Sequence, residues 1–167
     1  MASASASAAS PAELARGAAF TTWLSSIDTF LFDCDGVLWR GGIGVPGVGA
    51  TIAALEAAGK KCYFVTNNST KTRDDYVKVL LSLAGITATR ESVLSSAYAA
   101  AVYCRDAGFK KKVYVIGGEG LIEELSQVAG LECLGPEDTG KIFDFGVNSP
   151  SNLDADVEAV VIGFDVG

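Results

Sequence analysis

The chain has 167 residues, of which 49% are hydrophobic, and its 13 basic and 20 acidic side chains give a formal net charge of −7. This length suits one full domain or parts of two, and the apolar content is enough for a core. The acidic balance argues against a nucleic-acid-binding protein, which needs clustered basic residues. The sequence contains no histidine, which excludes Ser-His-Asp and Cys-His hydrolases and most catalytic zinc sites.

Residues 1–25 open with the Ala/Ser-rich stretch MASASASAAS, which predicts a disordered tail. A transit peptide is the alternative, although this segment has few basic residues and contains Glu13. It lacks the basic start and apolar core of a secretory signal, and no apolar stretch approaches the ~20 residues that cross a bilayer. We therefore expect a cytoplasmic protein without membrane contacts, or a plastid protein if the tail is a transit peptide. The four cysteines are scattered and are expected to be reduced and mostly buried.

Strand and helix signals alternate after the tail. Apolar runs predict strands at 29–32, 62–65, 113–116 and 159–163. Apolar residues at helical spacing predict helices over 48–58, 72–84, 95–106 and 121–128, and Thr72 with Asp75 gives a weak capping-box signal. Residues 41–47 and 135–156 are expected to be loops. The alternation predicts an α/β fold with a parallel sheet.

Polar residues follow the first two predicted strands. Asp33-Cys34-Asp35-Gly36 comes after the first, and Thr66-Asn67-Asn68 comes after the second. Residues i and i+2 of an extended segment point the same way, so both carboxylates can face one small volume. Parallel sheets bind ligands beyond the carboxyl ends of their strands. Carboxylates, a hydroxyl and free backbone N–H groups at this edge predict a magnesium-assisted phosphoryl-transfer site.

In such a site Asp33 would attack phosphorus to form an aspartyl-phosphate. Asp35 would protonate the leaving oxygen and then deprotonate the hydrolytic water. Magnesium would offset the repulsion between Asp33 and the phosphate oxygens, which is ~4 kcal/mol at ~4 Å and an effective dielectric near ~20. Thr66 would hold a phosphoryl oxygen, and Gly36 would let the chain turn sharply away from the strand.

Other interpretations of these motifs are weaker. A calcium loop of the EF-hand type would need an oxygen ligand at position 37 and a Glu at position 44, where this chain has Val37 and Gly44. Thr66-Asn67-Asn68, taken alone, is typical of an ordinary turn and helix cap. The GGEG segment at 117–120 is not GxGxxG, so it favours a plain strand-to-helix turn over a dinucleotide site. Trp39 and Arg40 could contact substrate or simply pack the following loop.

FDCDGVLWRG and, about thirty residues later, FVTNNSTKTR resemble the first two motifs of the haloacid dehalogenase-like phosphatases. The details LWRG, VPG and NNS, together with VYVIGGEGLIEEL and AVVIGFD, resemble the branch of phosphoglycolate phosphatases and 4-nitrophenylphosphatases, which also includes pyridoxal phosphatases. The resemblance runs from about Ile27 to Asp165, nearly the whole chain beyond the tail.

The resemblance implies a Rossmann-like parallel core, with its N-terminal half at 26–109 and part of an inserted α/β cap at 110–167. It implies that Asp33 is the nucleophile, that Asp35 is the acid–base, and that Asp33 and the carbonyl of Asp35 bind Mg²⁺. The implied substrate contacts are Gly36, Thr66, Asn67 and Asn68. The implied substrate is a small phosphorylated metabolite, with 2-phosphoglycolate first and pyridoxal phosphate or other phosphoesters as alternatives. The implied assembly is a homodimer.

Two further motifs of the family have no counterpart in this sequence. The family has a lysine, usually within Gly-Lys-Pro, and a Gly-Asp motif with further acids. This chain contains no Gly-Asp dipeptide, and its Gly140-Lys141 lacks the proline. Asp154, Asp156 and Asp165 flank a loop or follow a cap-like strand and are poor substitutes. We therefore expect the sequence to match about the first half of the family's length and, alone, to be a catalytically incomplete fragment that binds Mg²⁺ weakly.

Overall fold

Helices and strands alternate along the chain in the computed structural model, which describes residues 17–138 and 154–164. The strands are β1 Thr29–Asp33, β2 Trp39–Arg40, β3 Ile43–Gly44, β4 Lys61–Thr66, β5 Val93–Ser95, β6 Lys112–Ile116, β7 Glu132–Leu134 and β8 Val157–Ile162. The α-helices are α1 Gly17–Ser25, α2 Val48–Ala57, α3 Arg73–Ala84, α4 Ser96–Asp106 and α5 Glu119–Ala129. Short 3₁₀ turns cover Arg90–Ser92 and Pro136–Asp138.

The first sheet has the order β1-β4-β5, and both strand pairs are parallel. β1 and β4 pair from Thr29 opposite Lys61 to Asp33 opposite Val65. Its main core cluster contains the buried side chains of Leu38, Ile52, Phe64 and Leu80, among others. Since all three strands run the same way, their carboxyl ends lie at one edge.

The second sheet has the order β7-β6-β8 and is also parallel. Val113 and Val115 of β6 form a core with Ala97 and Ala101 of α4 and with Leu125 of α5. Together the two sheets confirm the predicted α/β class with parallel pairing. The boundary at 109/110 stays a prediction, but the apolar contacts of α4 lie with the second sheet.

Several elements differ from the prediction. β2 and β3 form an antiparallel pair inside the segment expected to be a loop. Gly17–Ser25 is a helix although residues 1–25 were predicted to be disordered, and the reason is visible in the sequence. Phe20, Trp23 and Leu24 recur at helical spacing, and the rings of the first two lie 5.7 Å apart. Residues 1–16, Gly140-Lys141 and Asp165 lie outside the described residues.

The edge strands leave apolar side chains exposed. Leu31 of β1 is 67% exposed, and Ile162 of β8 is 73% exposed.

Within the described ranges, no helix combines the length and apolar character that a membrane span requires. Cys34, Cys62 and Cys104 are buried, Cys133 is half-buried and all four thiols are free, which confirms that prediction.

A buried ion pair joins two units of the chain: the first unit is the first sheet with its core cluster, and the second unit is the second sheet with α4 and α5. Glu124 of α5 accepts hydrogen bonds from the backbone N–H of Arg73 at 2.8 Å and from its Nε at 3.2 Å. The Glu124 side chain is 1% exposed, and Arg90 Nη2 approaches the same carboxylate at 3.9 Å. The guanidinium of Arg73 also stacks on the ring of Tyr98, 3.7 Å from its centroid. Glu124 therefore caps the start of α3, which begins five residues after Asn68.

Three glycines of the second unit contact the segment 69–71. A Cβ at Gly118 would lie 3.3 Å from Cα of Thr70, and a Cβ at Gly120 would overlap the backbone of Lys71. A Cβ at Gly163 would lie 2.8 Å from Oγ of Ser69, which accepts a hydrogen bond from the N–H of Phe164 at 3.0 Å. The GGEG segment is thus a strand-to-helix turn whose glycines permit close backbone packing.

Candidate active site

The two predicted groups of polar residues lie at the same edge of the first sheet. Asp33 is the last residue of β1 and is opposite Val65, the residue before Thr66. Thr66 is the last residue of β4 and is opposite Ser95 at the end of β5. Parallel pairing therefore brings Asp33 and Thr66 together as the sequence predicted. Both Asp33 and Asp35 are exposed at this edge.

The chain turns sharply after Asp33. The carbonyl of Cys34 accepts the N–H of Leu38 at 2.9 Å, and the N–H of Gly36 donates to the carbonyl of Trp39 at 2.7 Å. Gly36 has φ +88°, a left-handed conformation that residues with a Cβ rarely adopt. The turn role of Gly36 is therefore confirmed, whereas its substrate contact stays a prediction because its N–H is bonded within the turn.

Trp39 is a site residue whose contact the sequence did not identify. Its indole Nε1–H donates to Oδ1 of Asp35 at 2.8 Å, and the residue is only 5% exposed. The sequence left Trp39 open between substrate contact and packing. The contact requires the Gly36 turn to bring residue 39 back beside residue 35, so the spacing alone does not reveal it.

The Thr66–Asn68 segment is organised by its own hydrogen bonds. Oγ1 of Thr66, which is 3% exposed, accepts the N–H of Asn68 at 3.2 Å. Oδ1 of Asn68 accepts from the N–H of Thr70 at 2.9 Å and from its hydroxyl at 2.8 Å. The carbonyl of Asn67 accepts the Ser96 hydroxyl at 2.8 Å. These bonds show a turn of defined shape, and the phosphate contacts of Thr66, Asn67 and Asn68 stay predictions.

Tyr76 of α3 lies in the core cluster that also contains Cys34 and Trp39. It is 2% exposed, and its hydroxyl makes no hydrogen bond that meets standard geometry with any group in the described parts of the chain. Burial raises the pKa of the Tyr76 phenol, the nearby Thr66 hydroxyl lowers it, and the Asp35 carboxylate raises it further. The phenol is therefore close to both strand ends and stays protonated. In the sequence, Tyr76 lies one helical turn before Leu80. That spacing predicts packing in the core and gives no sign that the hydroxyl lies near the strand ends.

Cys34 lies between the two acids but is fully buried. Burial, followed by the negative charges of Asp35 and Asp33, raises the pKa of its thiol to about 12. Only the thiolate is a good nucleophile, so Cys34 takes no part in the chemistry of the site.

The donor set at the strand end suits a magnesium ion. Mg²⁺ is usually held by one or two carboxylates, with water and substrate phosphate completing its shell. Asp33 would supply a carboxylate and Asp35 its carbonyl oxygen, and within the described ranges no group of three or more His, Cys, Asp or Glu residues could hold a metal ion. Asp154 and Asp156 pair instead with Lys112 and Lys111, each at 2.9 Å, so they contribute to the second unit.

An open cavity of about 650 Å³ adjoins the turn. Its lining is formed by Gly36, Val37, Arg40 and residues 43–46, and neither Asp33 nor Asp35 is part of that lining. Nε of Arg40 donates to the carbonyl of Gly36 at 3.0 Å, which places the guanidinium beside the turn. The cavity therefore lies next to the carboxylates, between the turn and the β2–β3 pair.

Comparison with known proteins gives consistent matches. Residues 30–131 match the model of the haloacid dehalogenase-like hydrolases. Phosphoglycolate phosphatase 2 of Arabidopsis thaliana is 46% identical over 149 residues, which cover 87% of this chain and 49% of that protein. Glycerol-3-phosphate phosphatase of Homo sapiens is 44% identical over 152 residues, covering 85% of this chain and 46% of that protein. The chain thus spans about half the length of these curated relatives.

A solved structure adds agreement at the level of the fold. Glycerol phosphate phosphatase of Mycobacterium tuberculosis, in complex with magnesium, superimposes with a TM-score of 0.64 at 26% identity. The match covers 86% of this chain and 38% of that one. These findings confirm the resemblance drawn from the two motifs. The chain belongs to the haloacid dehalogenase-like hydrolase family, in its phosphatase branch.

Proposed function

We propose that this chain carries the nucleophile half of a magnesium-dependent phosphomonoesterase that works through an aspartyl-phosphate. The observation that supports the proposal best is the parallel pairing of β1 with β4, which puts Asp33 and Thr66 at one sheet edge. Asp35, two residues beyond Asp33, is held by Trp39 at 2.8 Å. A nucleophile, an acid–base and a hydroxyl donor are the groups that such a reaction needs.

In the first step a carboxylate oxygen of Asp33 attacks phosphorus, and the bond from phosphorus to the ester oxygen breaks. Asp35 gives its proton to that leaving oxygen. In the second step Asp35 takes a proton from water, whose oxygen attacks phosphorus and releases phosphate and Asp33. Oγ1 of Thr66 accepts the N–H of Asn68, and its own hydrogen would be donated to a phosphoryl oxygen when substrate is bound. Bound at Asp33 and the Asp35 carbonyl, Mg²⁺ would supply positive charge that offsets repulsion between Asp33 and the phosphate.

The first substrate to test is 2-phosphoglycolate, since a relative at 46% identity carries that activity in its name. Glycerol 3-phosphate is the second, because a relative at 44% identity is named for it. Pyridoxal phosphate remains a further alternative from the sequence motifs. All three are small phosphomonoesters, so the proposed chemistry is the same for each.

The test is Mg²⁺-dependent release of phosphate from these three esters, by residues 1–167 and by the longest translation product of the gene. We expect a product that also carries the family's lysine and Gly-Asp motifs to turn over at about 1 per second or more. We expect residues 1–167 to be much slower, because one side-chain carboxylate and one carbonyl give Mg²⁺ few protein ligands. Asp33→Asn should abolish release, whereas Asp28→Asn, an exposed acid just before β1, should not.

A second candidate is a non-catalytic chain that binds phosphate at the same edge. It is favoured if neither polypeptide releases phosphate while Mg²⁺-dependent phosphate binding persists and is lost in Asp33→Asn. The absence of both turnover and binding would refute the phosphatase proposal.

Assembly and compartment are part of the same proposal. We place the protein in the cytoplasm, with the plastid as the alternative if the Ala/Ser-rich segment is a transit peptide. A fluorescent fusion to the C-terminus separates the two. The homodimer implied by the family resemblance is tested by light scattering.

A further inference from the structure

We infer that Trp39 is a positioning residue that fixes the carboxylate of Asp35 so that Oδ2 is the oxygen that exchanges protons during catalysis. This inference rests on the proposed function. It starts from the hydrogen bond of 2.8 Å between the indole Nε1–H and Oδ1. An indole has a single N–H and no acceptor, so this contact commits the whole hydrogen-bonding capacity of Trp39 to Asp35.

The indole is held more firmly than the carboxylate that it contacts. Trp39 is 5% exposed and packs in the same core cluster as Cys34 and Leu38. Its backbone is fixed on both sides, because its carbonyl accepts from Gly36 at 2.7 Å and it pairs with Gly44 in the β2–β3 ladder. The ring can therefore act as a rigid reference for its partner.

Asp35, by contrast, is exposed at the sheet edge. The terminal torsion of an aspartate is broad and roughly two-fold, so without a partner its two oxygens would interchange. The indole N–H occupies one lone pair of Oδ1, and a proton carried by Asp35 then sits on Oδ2. The bond thus determines both where the proton lies and the direction in which it can be transferred.

The test compares substrates whose leaving groups differ in their need for a proton. The leaving group of an alkyl phosphate such as 2-phosphoglycolate is an alkoxide, which needs a proton from the acid. The leaving group of 4-nitrophenyl phosphate is a stable phenolate, which needs the acid far less. Trp39→Phe keeps an aromatic ring in the core and removes only the N–H donor and part of the ring. We expect kcat/KM, which reports the first chemical step, to fall about 10-fold or more for the alkyl ester and less than about 3-fold for the nitrophenyl ester.

Trp23→Phe is the matched control. The sequence has two tryptophans, and Trp23 lies on α1, where it is 41% exposed. It should leave both substrates unaffected. If Trp39→Phe lowers kcat/KM equally for both esters, or for neither, the inference is overturned while the phosphatase proposal stands. If the unmodified protein neither hydrolyses these esters nor binds phosphate with Mg²⁺, it is the proposed function that fails.

A measurement without turnover covers the case in which Trp39→Phe folds poorly. In the unmodified chain, the Trp39 indole hydrogen should exchange with solvent at least about 100-fold more slowly than that of Trp23. Asp35→Ala should accelerate exchange at Trp39 and leave Trp23 unchanged. Equal exchange at the two indoles, or no response to Asp35→Ala, would show that the bond does not persist in solution and would overturn the inference.

Discussion

At the scale of single residues, the turn after β1 gives adjacent positions opposite environments. Cys34 points into the core and is fully buried, whereas Asp33 and Asp35 on either side are exposed. This alternation is what an extended backbone imposes. It explains how two carboxylates can face one volume while the residue between them serves only packing.

The buried thiol leads to a prediction about reactivity. With its pKa raised to about 12, the buried Cys34 thiol is almost entirely protonated at pH 8. We expect a maleimide reagent to label Cys133 in the native protein and to leave Cys34 unlabelled until the protein unfolds. Mass spectrometry of tryptic peptides measures both sites. Labelling of Cys34 as fast as Cys133 would contradict the burial of this turn.

The residues that sequence reasoning found and missed differ in one respect. Asp33 and Thr66 were predictable because each directly follows an apolar strand, and parallel pairing then brings them together. The Trp39–Asp35 bond was not, because it depends on the left-handed Gly36 that reverses the chain. Tyr76 was also missed, because a tyrosine at helical spacing is typical of a core residue whatever its hydroxyl faces.

At the scale of elements, α3 begins with a cap that the sequence already indicated. Oγ1 of Thr72 accepts the N–H of Asp75 at 3.1 Å, and its hydroxyl donates to Oδ2 of Asp75 at 2.9 Å. Gly85 ends the helix with φ 65°, as its position predicted. The weak capping signal is therefore confirmed, and it fixes the helix that follows the Thr66–Asn68 segment.

Asp75 should make this cap sensitive to pH. Hydrogen bonds from Lys78 and then Thr72 lower the pKa of its carboxyl below the ordinary value of 3.8. A lowered folded-state pKa stabilises the fold above the unfolded-state pKa, and this contribution disappears as pH falls through the folded-state value. We expect Asp75→Asn to cost about 0.5–1 kcal/mol of unfolding free energy at pH 7. Urea titrations should show this difference shrinking below about pH 4, and a constant cost from pH 7 to pH 3 would contradict it.

The short strands show the limit of pattern recognition for elements. β5 and β7 have three residues each, too few to display a period of two. They are strands because β4 and β6 offer them hydrogen-bonding partners. Longer elements such as α3 and β4 carried enough periodicity to be placed within one or two residues.

At the scale of the whole molecule, the two sheet units meet around Glu124. Its carboxylate accepts hydrogen bonds from the backbone N–H and the guanidinium of Arg73, and it also lies near the guanidinium of Arg90. The sequence gives little sign of this, because Glu123-Glu124 resembles an ordinary solvated helix face. Partners 51 residues apart along the chain are found only when the fold is known.

Breaking this contact should be costly. Glu124→Ala leaves the guanidinium of Arg73, which is 10% exposed, without its carboxylate, and we expect a loss of about 3–5 kcal/mol in the free energy of unfolding. Glu123→Ala, the exposed neighbour on the same helix, should change it by less than about 0.5 kcal/mol. Urea unfolding followed by circular dichroism measures both. Similar, small effects of the two variants would show that the ion pair does not hold the sheets together.

The glycines at 118, 120 and 163 also limit how the two units could be recombined. A methyl group at Gly120 would overlap the backbone of Lys71, one at Gly118 would press on Thr70, and one at Gly163 would press on the side chains of Ser69 and Leu121. A chimera that takes its second sheet from another protein would therefore need glycine at position 120, where the overlap is with backbone, and would have to fit the tight contacts at 118 and 163. A donor unit with a larger residue at position 120 would push on the segment that begins three residues after Thr66, so an exchange made away from the carboxylates would also change the shape of the chain beside Thr66–Asn68.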